Sequence, residues 1–236
     1  EHLPNATIIT FWHIPWPNSE AFGICPWREE ILSGMLGSSI IGFHTRFHCN
    51  NFIETVDRFL ECRIDRETSM VSYGGKHTAI NRYPISIEFP PRRLKEQKSI
   101  PDCRDRIRQI NNISPDRKIG IGIDRLDYTK GIVERFLAVE KLFERNPGWI
   151  GNFTFIQIAA PSRSSIENYM KFEAEVRKTA EKINARFSTE GYEPICLKIE
   201  HHSADQVLEY YRGSDLCFVS SLHDGMNLVA KEFVAA

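Results

Sequence analysis

The sequence predicts an α/β protein built as two domains, and three observations predict it. Short apolar, β-branched runs alternate with longer segments whose apolar residues recur at near-helical spacing. From residue 117 onward strand and helix alternate four times, the pattern of a parallel sheet covered on both faces. Between the two alternating series, around residues 88–116, the chain turns charged and proline-containing (FPPRRLKEQKSIPDCRDRIRQ), which marks a boundary.

Each element has its own signal. ATIITFW (6–12) is a buried strand, and HIPWPNSE follows as a proline-rich loop. PWREEILSGML (26–36) opens with Pro near a helix start. SSIIGF (38–43) is a strand, FHCNNFIETVDRFLECR (47–63) a long amphipathic helix, and SMVSYGGKHTAINRYPI (69–85) a hairpin turning at Gly74-Gly75. In the second series the strands are RKIGIGID (117–124), FTFIQIAA (153–160), PICLKIE (194–200) and DLCFVSSL (215–222). The helices are 131–147, 165–187, 203–214 and 227–236. The sequence stops inside the last of these with no cap, and is expected to be a fragment.

Composition narrows the function classes. The 236 residues are 42% hydrophobic and 26% charged, ordinary for a globular protein. A formal net charge of −1 gives no bulk attraction to nucleic acid or a membrane. No run of about 18 apolar residues predicts a transmembrane helix, and EHLPNATIIT has neither the basic nor the long apolar part of a signal peptide. Six scattered cysteines (Cys25, Cys49, Cys62, Cys103, Cys196, Cys217) without a C-x-x-C pair suit reduced thiols, so a cytoplasmic location is expected. Asn5, Asn112 and Asn152 match the glycosylation pattern only by chance on this reading.

In parallel sheets ligands bind beyond the carboxyl ends of the strands. The candidates are therefore His13, Arg125 with Lys130, Arg163, and Asp224 through Val229. In Asp124-Arg-Leu-Asp-Tyr-Thr-Lys-Gly131, two cations converge where a helix begins, which suits a diphosphate. The simpler alternative is a solvated strand end with Arg125 paired to Asp127. Asp224-Gly225 makes a sharp turn, and Met226, Asn227, Leu228 and Val229 offer the unpaired N–H groups of a first helical turn. Asp224 could accept from sugar hydroxyls and Glu232 from a ribose. The alternative makes Asp224 or Asn227 a helix cap and Glu232 a solvated charge. Taken alone, His13 reads more readily as a half-buried histidine, and Arg163 as a surface residue. His44, His48 and Cys49 do not complete a metal motif, and Gly74-Gly75 is a turn with no helix after it.

The segments HIPWPNSEAF, PWREEIL, GFHT, YPISIE, DRLDYTKGI, IAAPSR, INARF and DGMNLVAKEFVAA follow one another over essentially the whole chain. This set resembles the trehalose-6-phosphate synthases, a family of retaining glycosyltransferases. The resemblance implies the GT-B glycosyltransferase fold, two Rossmann-like domains facing across a cleft, both incomplete in this fragment. Residues 1–88 would be the later half of the first, acceptor-side domain, 89–115 a linker region, and 116–236 the nucleotide-sugar domain truncated at its C-terminus.

It further implies transfer of glucose from UDP-glucose to glucose 6-phosphate, giving trehalose 6-phosphate in trehalose biosynthesis. No cofactor and no metal are implied. The partners are a nucleotide sugar and a sugar phosphate, with no nucleic acid and no membrane, and a homo-oligomer of the full-length parent is left open. By the matching positions, Arg125 and Lys130 would hold the donor diphosphate and Asp224 the hydroxyls of the transferred glucose. His13 would contact that glucose from the other domain, and Arg163 would serve the acceptor phosphate. Gly225, Met226, Asn227, Leu228 and Val229 would line the diphosphate and sugar, and Glu232 would bind the ribose. His223, where relatives commonly carry Arg, and Trp12, where a smaller residue is expected, touch the pocket's edges and leave the acceptor in doubt. Two rivals stand: a sister enzyme using glycerol 3-phosphate, and a non-catalytic sugar-phosphate sensor, against which Arg125, Lys130 and Asp224 are all present.

Overall fold

A computed structural model describes residues 6–162 and 167–236. They group into two units, residues 6–85 with Asp224–Met226, and residues 86–162 and 167–223 with Asn227–Ala236.

The first unit holds β1 (Ile9–Phe11), α1 (Ser19–Phe22), α2 (Arg28–Met35), β2 (Ile40–Phe43), α3 (Arg46–Phe59), β3 (Arg63–Asp65), β4 (Met70–Tyr73) and β5 (Lys76–Arg82). Its sheet runs β1-β2-β5-β4-β3, parallel across β1, β2 and β5 and antiparallel from β5 to β3. Trp16, Phe43, Phe52, Ile41 and Ile80 are fully buried in its core. Trp16 donates its indole N–H to Thr55 Oγ1 at 3.1 Å, so the polar end of this large ring is satisfied.

Two local expectations change here. The helix expected to reach residue 63 stops at Phe59, because Leu60 is extended and Arg63–Asp65 pairs antiparallel with β4 instead. The Asp65 carboxylate accepts from the Glu67 and Thr68 N–H groups and closes that extra turn. The loop after β1 contains the short α1, capped by Asn18, whose Oδ1 accepts from Ala21 N–H at 2.8 Å.

The second unit holds α4 (Ile100–Ile110), β6 (Lys118–Arg125), α5 (Ile132–Arg145), β7 (Phe153–Ala160), α6 (Glu167–Phe187), β8 (Ile195–Lys198), α7 (Ala204–Gly213), β9 (Leu216–Cys217) and α8 (Leu228–Ala235). The sheet order is β8-β7-β6-β9 and every pair is parallel. Strand β7 shows why both faces are covered. Phe153, Phe155 and Ala159 pack with Phe136 and Phe143 of α5 and Val176 and Ile183 of α6. Ile156 and Ile158 pack the other way, with Ile107 of α4 and Tyr210 and Tyr211 of α7.

The expected linker stretch carries a 3-10 turn (Arg92–Lys95) and α4. Ser99 caps α4, and Pro101 sits in its first turn, where a missing N–H costs nothing. The last strand is much shorter than the sequence predicts. Only Leu216–Cys217 pairs with β6, and beyond Phe218, whose N–H still reaches Ile121 O, the chain leaves the ladder. The register Lys118↔Phe153 to Arg125↔Ala160 sets the carboxyl ends of β6 and β7 flush with each other.

Candidate functional site

At those carboxyl ends, within the second unit, lies a cavity of about 750 Å³. Its floor is apolar, from Ile123, Val207 and Leu208, and its charged groups include Arg125 and Glu232. Arg125 is the last residue of β6 and is exposed. Leu228 and Val229 open α8 and also line the cavity, with Asn227 at the cap position. The first-turn N–H groups of a helix have no partner within it, and its positive dipole end favours an anion.

Glu232 stands one turn further along α8. Its Oε2 accepts from the Tyr211 hydroxyl at 3.2 Å, which ties α8 to α7. Burial, together with the Glu232 charge and that hydrogen bond, pushes the Tyr211 hydroxyl well above the usual tyrosine range, so it stays protonated and a donor.

Lys130 ends a 3-10 turn (Tyr128–Lys130), and Gly131 follows at φ 63°, a left-handed conformation that glycine alone adopts at little cost. A side chain at Gly131 would also run into the Ser220 carbonyl oxygen. Asp127 starts the turn and is buried. Its Oδ1 accepts from the Thr129 N–H at 2.9 Å and the Thr129 hydroxyl at 2.7 Å, and its Oδ2 from the Tyr169 hydroxyl at 3.3 Å. Burial pushes the Asp127 carboxyl up, but these hydrogen bonds and the Arg125 charge outweigh it and hold the group below its ordinary value.

A carboxyl depressed in the folded state contributes stability that is present above its unfolded value and lost as pH falls through the folded one. Asp127→Asn is therefore expected to lower stability by about 1 kcal/mol at neutral pH. The gap from wild type should close as pH falls through the ordinary aspartate range and below it. Urea midpoints of both proteins across that range check this, and a gap that stays constant would show that the charge of Asp127 is not involved.

In the first unit, His13 follows β1 and is exposed. The His13 and His44 rings lie edge to face at 5.6 Å, both against Phe11. Asp224, Gly225 and Met226 group with this unit. Gly225 lies directly against the His13 backbone carbonyl and 2.9 Å, measured from an added Cβ, from the His44 ring, so only glycine fits. Arg163 lies outside the described residues. Among the described residues no three His, Cys, Asp or Glu side chains gather as a metal site, and no helix is long and apolar enough to cross a membrane. All six cysteines are free.

The profile of glycosyltransferase family 20 matches residues 1–236. The chain belongs to that family. It is 38% identical over 234 residues to an alpha,alpha-trehalose-phosphate synthase [UDP-forming] of Pichia angusta, covering 99% of this chain and 48% of that protein. A solved structure from E. coli, described as trehalose-6-phosphate bound with UDP-2-fluoro glucose, is 30% identical, with TM-score 0.87 and coverage of 98% and 50%. The UDP-forming alpha,alpha-trehalose-phosphate synthase of Burkholderia xenovorans in complex with glucose-6-phosphate is 27% identical, with TM-score 0.89 and coverage of 98% and 51%. The family 20 chain thus spans about half the length of the relatives it matches, and its α/β, Rossmann-like architecture is that of GT-B structures.

Two neighbours of the candidate site escaped the sequence reading, Tyr211 and Arg135, and Asp127 was read only as a partner of Arg125. A signal existed for Arg135. It falls on the apolar stripe of α5 with Ile132, Phe136, Val139 and Phe143, where an unpaired cation could not stay.

Proposed function

We propose that the full-length protein is a retaining glucosyltransferase that moves glucose from UDP-glucose to glucose 6-phosphate, forming trehalose 6-phosphate, and that it needs no metal. The observation that carries the reading is the cavity shared by Arg125, the first turn of α8 and Glu232. A nucleoside diphosphate needs a cation and fixed N–H donors for its phosphates and a carboxylate for its ribose, and this arrangement offers all three. The relatives add to it, since one is described with UDP-2-fluoro glucose and another with glucose-6-phosphate.

In the proposed reaction the glycosidic bond to the diphosphate lengthens toward an oxocarbenium-like state and negative charge develops on the leaving oxygen. Arg125, Lys130 and the α8 N-terminus stabilise that charge more in the transition state than in the ground state, the role a metal plays elsewhere. The leaving phosphate takes the proton of the acceptor hydroxyl, so a protein base is not required. Asp224 and His13 serve the transferred glucose.

The test is UDP release by the full-length protein from UDP-glucose, with glucose 6-phosphate or glycerol 3-phosphate, with and without EDTA. The expected result is release only with glucose 6-phosphate and unchanged by EDTA. Release only with glycerol 3-phosphate keeps the donor chemistry and replaces the acceptor. A folded protein that releases no nucleotide from any nucleotide-glucose donor would sink the enzyme reading and leave the sugar-phosphate sensor standing.

Glu232→Gln separates the ribose role from the diphosphate role. It keeps the shape but weakens the hydrogen bonds to a ribose, so the KM for UDP-glucose is expected to rise about tenfold with kcat little changed. A fall in kcat at unchanged KM would instead place Glu232 in the chemical step.

A further inference from the structure

The turn that carries Lys130 is held from below by a buried network. Arg135 has no exposed surface, and the Asp124 side chain beside it is 4% exposed. A guanidinium keeps its proton in a protein, so its burial is tolerable only when its N–H groups find acceptors. Nη1 donates to Asp124 Oδ2 at 2.8 Å and to Gln157 Oε1 at 2.7 Å. Nε donates to Ser220 Oγ at 3.0 Å, and Nη2 to the Lys130 carbonyl at 3.3 Å. The Ser220 hydroxyl donates on to the Gly131 carbonyl at 2.9 Å, and Leu222 N–H to the Thr129 carbonyl at 2.8 Å. Three successive carbonyls, of residues 129, 130 and 131, are thus fixed by Arg135 and the segment after β9. Gly122 makes room for the guanidinium, since a Cβ there would run into Nη1.

We propose that Arg135 is a positioning residue for the donor diphosphate. It sets where the Lys130 ammonium stands by fixing the backbone that carries it, and it joins β6, β7, the 128–131 turn and the segment after β9 through one planar fork. This rests on the reading of Arg125 and Lys130 as diphosphate ligands. A core-filling role would need only volume, and well-packed apolar side chains commonly replace buried ion pairs without loss. The fork geometry reaches acceptors in four places at once, which neither an apolar side chain nor a lysine ammonium can do.

The experiment titrates UDP and, separately, uridine into the full-length wild type, Arg135→Lys and Ser220→Ala by calorimetry, with thermal unfolding of each alongside. Uridine shares the base and ribose but has no phosphate. Arg135→Lys is expected to weaken UDP on the order of tenfold and to leave uridine within about twofold. Ser220→Ala keeps the charge and removes the hydroxyl link to the turn, so it should shift the same ratio in the same direction by less. Equal loss of UDP and uridine, or no loss of either, overturns the inference. If Arg135→Lys does not fold, the UDP-to-uridine ratio of Ser220→Ala decides alone. A folded wild type that binds no UDP overturns the functional reading itself, an outcome distinct from the other two.

Discussion

Arg125→Ala is expected to lower kcat/KM of the full-length protein by about a hundredfold to a thousandfold, roughly the 3–4 kcal/mol that one preorganised donor contributes to a developing anion. The magnitude follows from where the residue stands. Arg125 closes β6, is exposed, and lines the same cavity as Leu228 and Val229 of the first turn of α8. Its removal should therefore leave the unfolding midpoint nearly unchanged while the chemistry suffers. The loss should sit in kcat, because the charge it faces is larger in the transition state than in bound UDP-glucose. Arg125→Lys should recover part of the rate, since a point charge replaces the fork without its second hydrogen bond. Steady-state UDP release with a parallel thermal melt measures both. A rise in KM at constant kcat would make Arg125 a ground-state binding residue, and wild-type kinetics would remove it from the site.

Asp124→Ala is expected to destabilise the protein by about 3–5 kcal/mol, because it strands the Arg135 cation in a core where water does not reach it. Against the roughly 5–15 kcal/mol by which a domain is stable, that is a large fraction. Gln157 and Ser220 would still accept from the guanidinium, but neither carries the opposite charge. Urea unfolding gives the number. A loss below about 1 kcal/mol would mean that neighbouring dipoles carry the charge balance and that Asp124 is dispensable.

The elements that were legible in the sequence are those whose pattern is local and long. β6, β7, α5 and α6 fall within a residue or two of expectation because their periodicity runs over eight residues or more. β3 was not legible: Leu60–Asp65 follows an amphipathic helix with no Gly or Pro to stop it, and pairing with β4 decides its conformation. β9 was overestimated for the opposite reason. DLCFVSSL has strand composition throughout, but only Leu216 and Cys217 have a neighbour to pair with. In the candidate site, Arg125, Leu228, Val229 and Glu232 stood out by motif and by position after a strand. Tyr211 did not, because one of two adjacent tyrosines on a helix carries no mark of its later partner.

The sequence by itself determined the alternation of strand and helix and the chemical identity of the candidate ligands. Both are properties of short stretches: side-chain periodicity, a Gly in a turn, a cation after an apolar run. Only the tertiary structure decided which of these share a cavity and what holds them there. The flush register of β6 on β7 sets the strand ends level, and the packing of α7 against α8 gives Glu232 its hydroxyl partner. The apolar stripe of α5 marks Arg135 as buried, but only the fold supplies its acceptors, the Lys130 carbonyl among them. Those contacts join residues distant in the chain, and their strength depends on the exclusion of water, which no local pattern records.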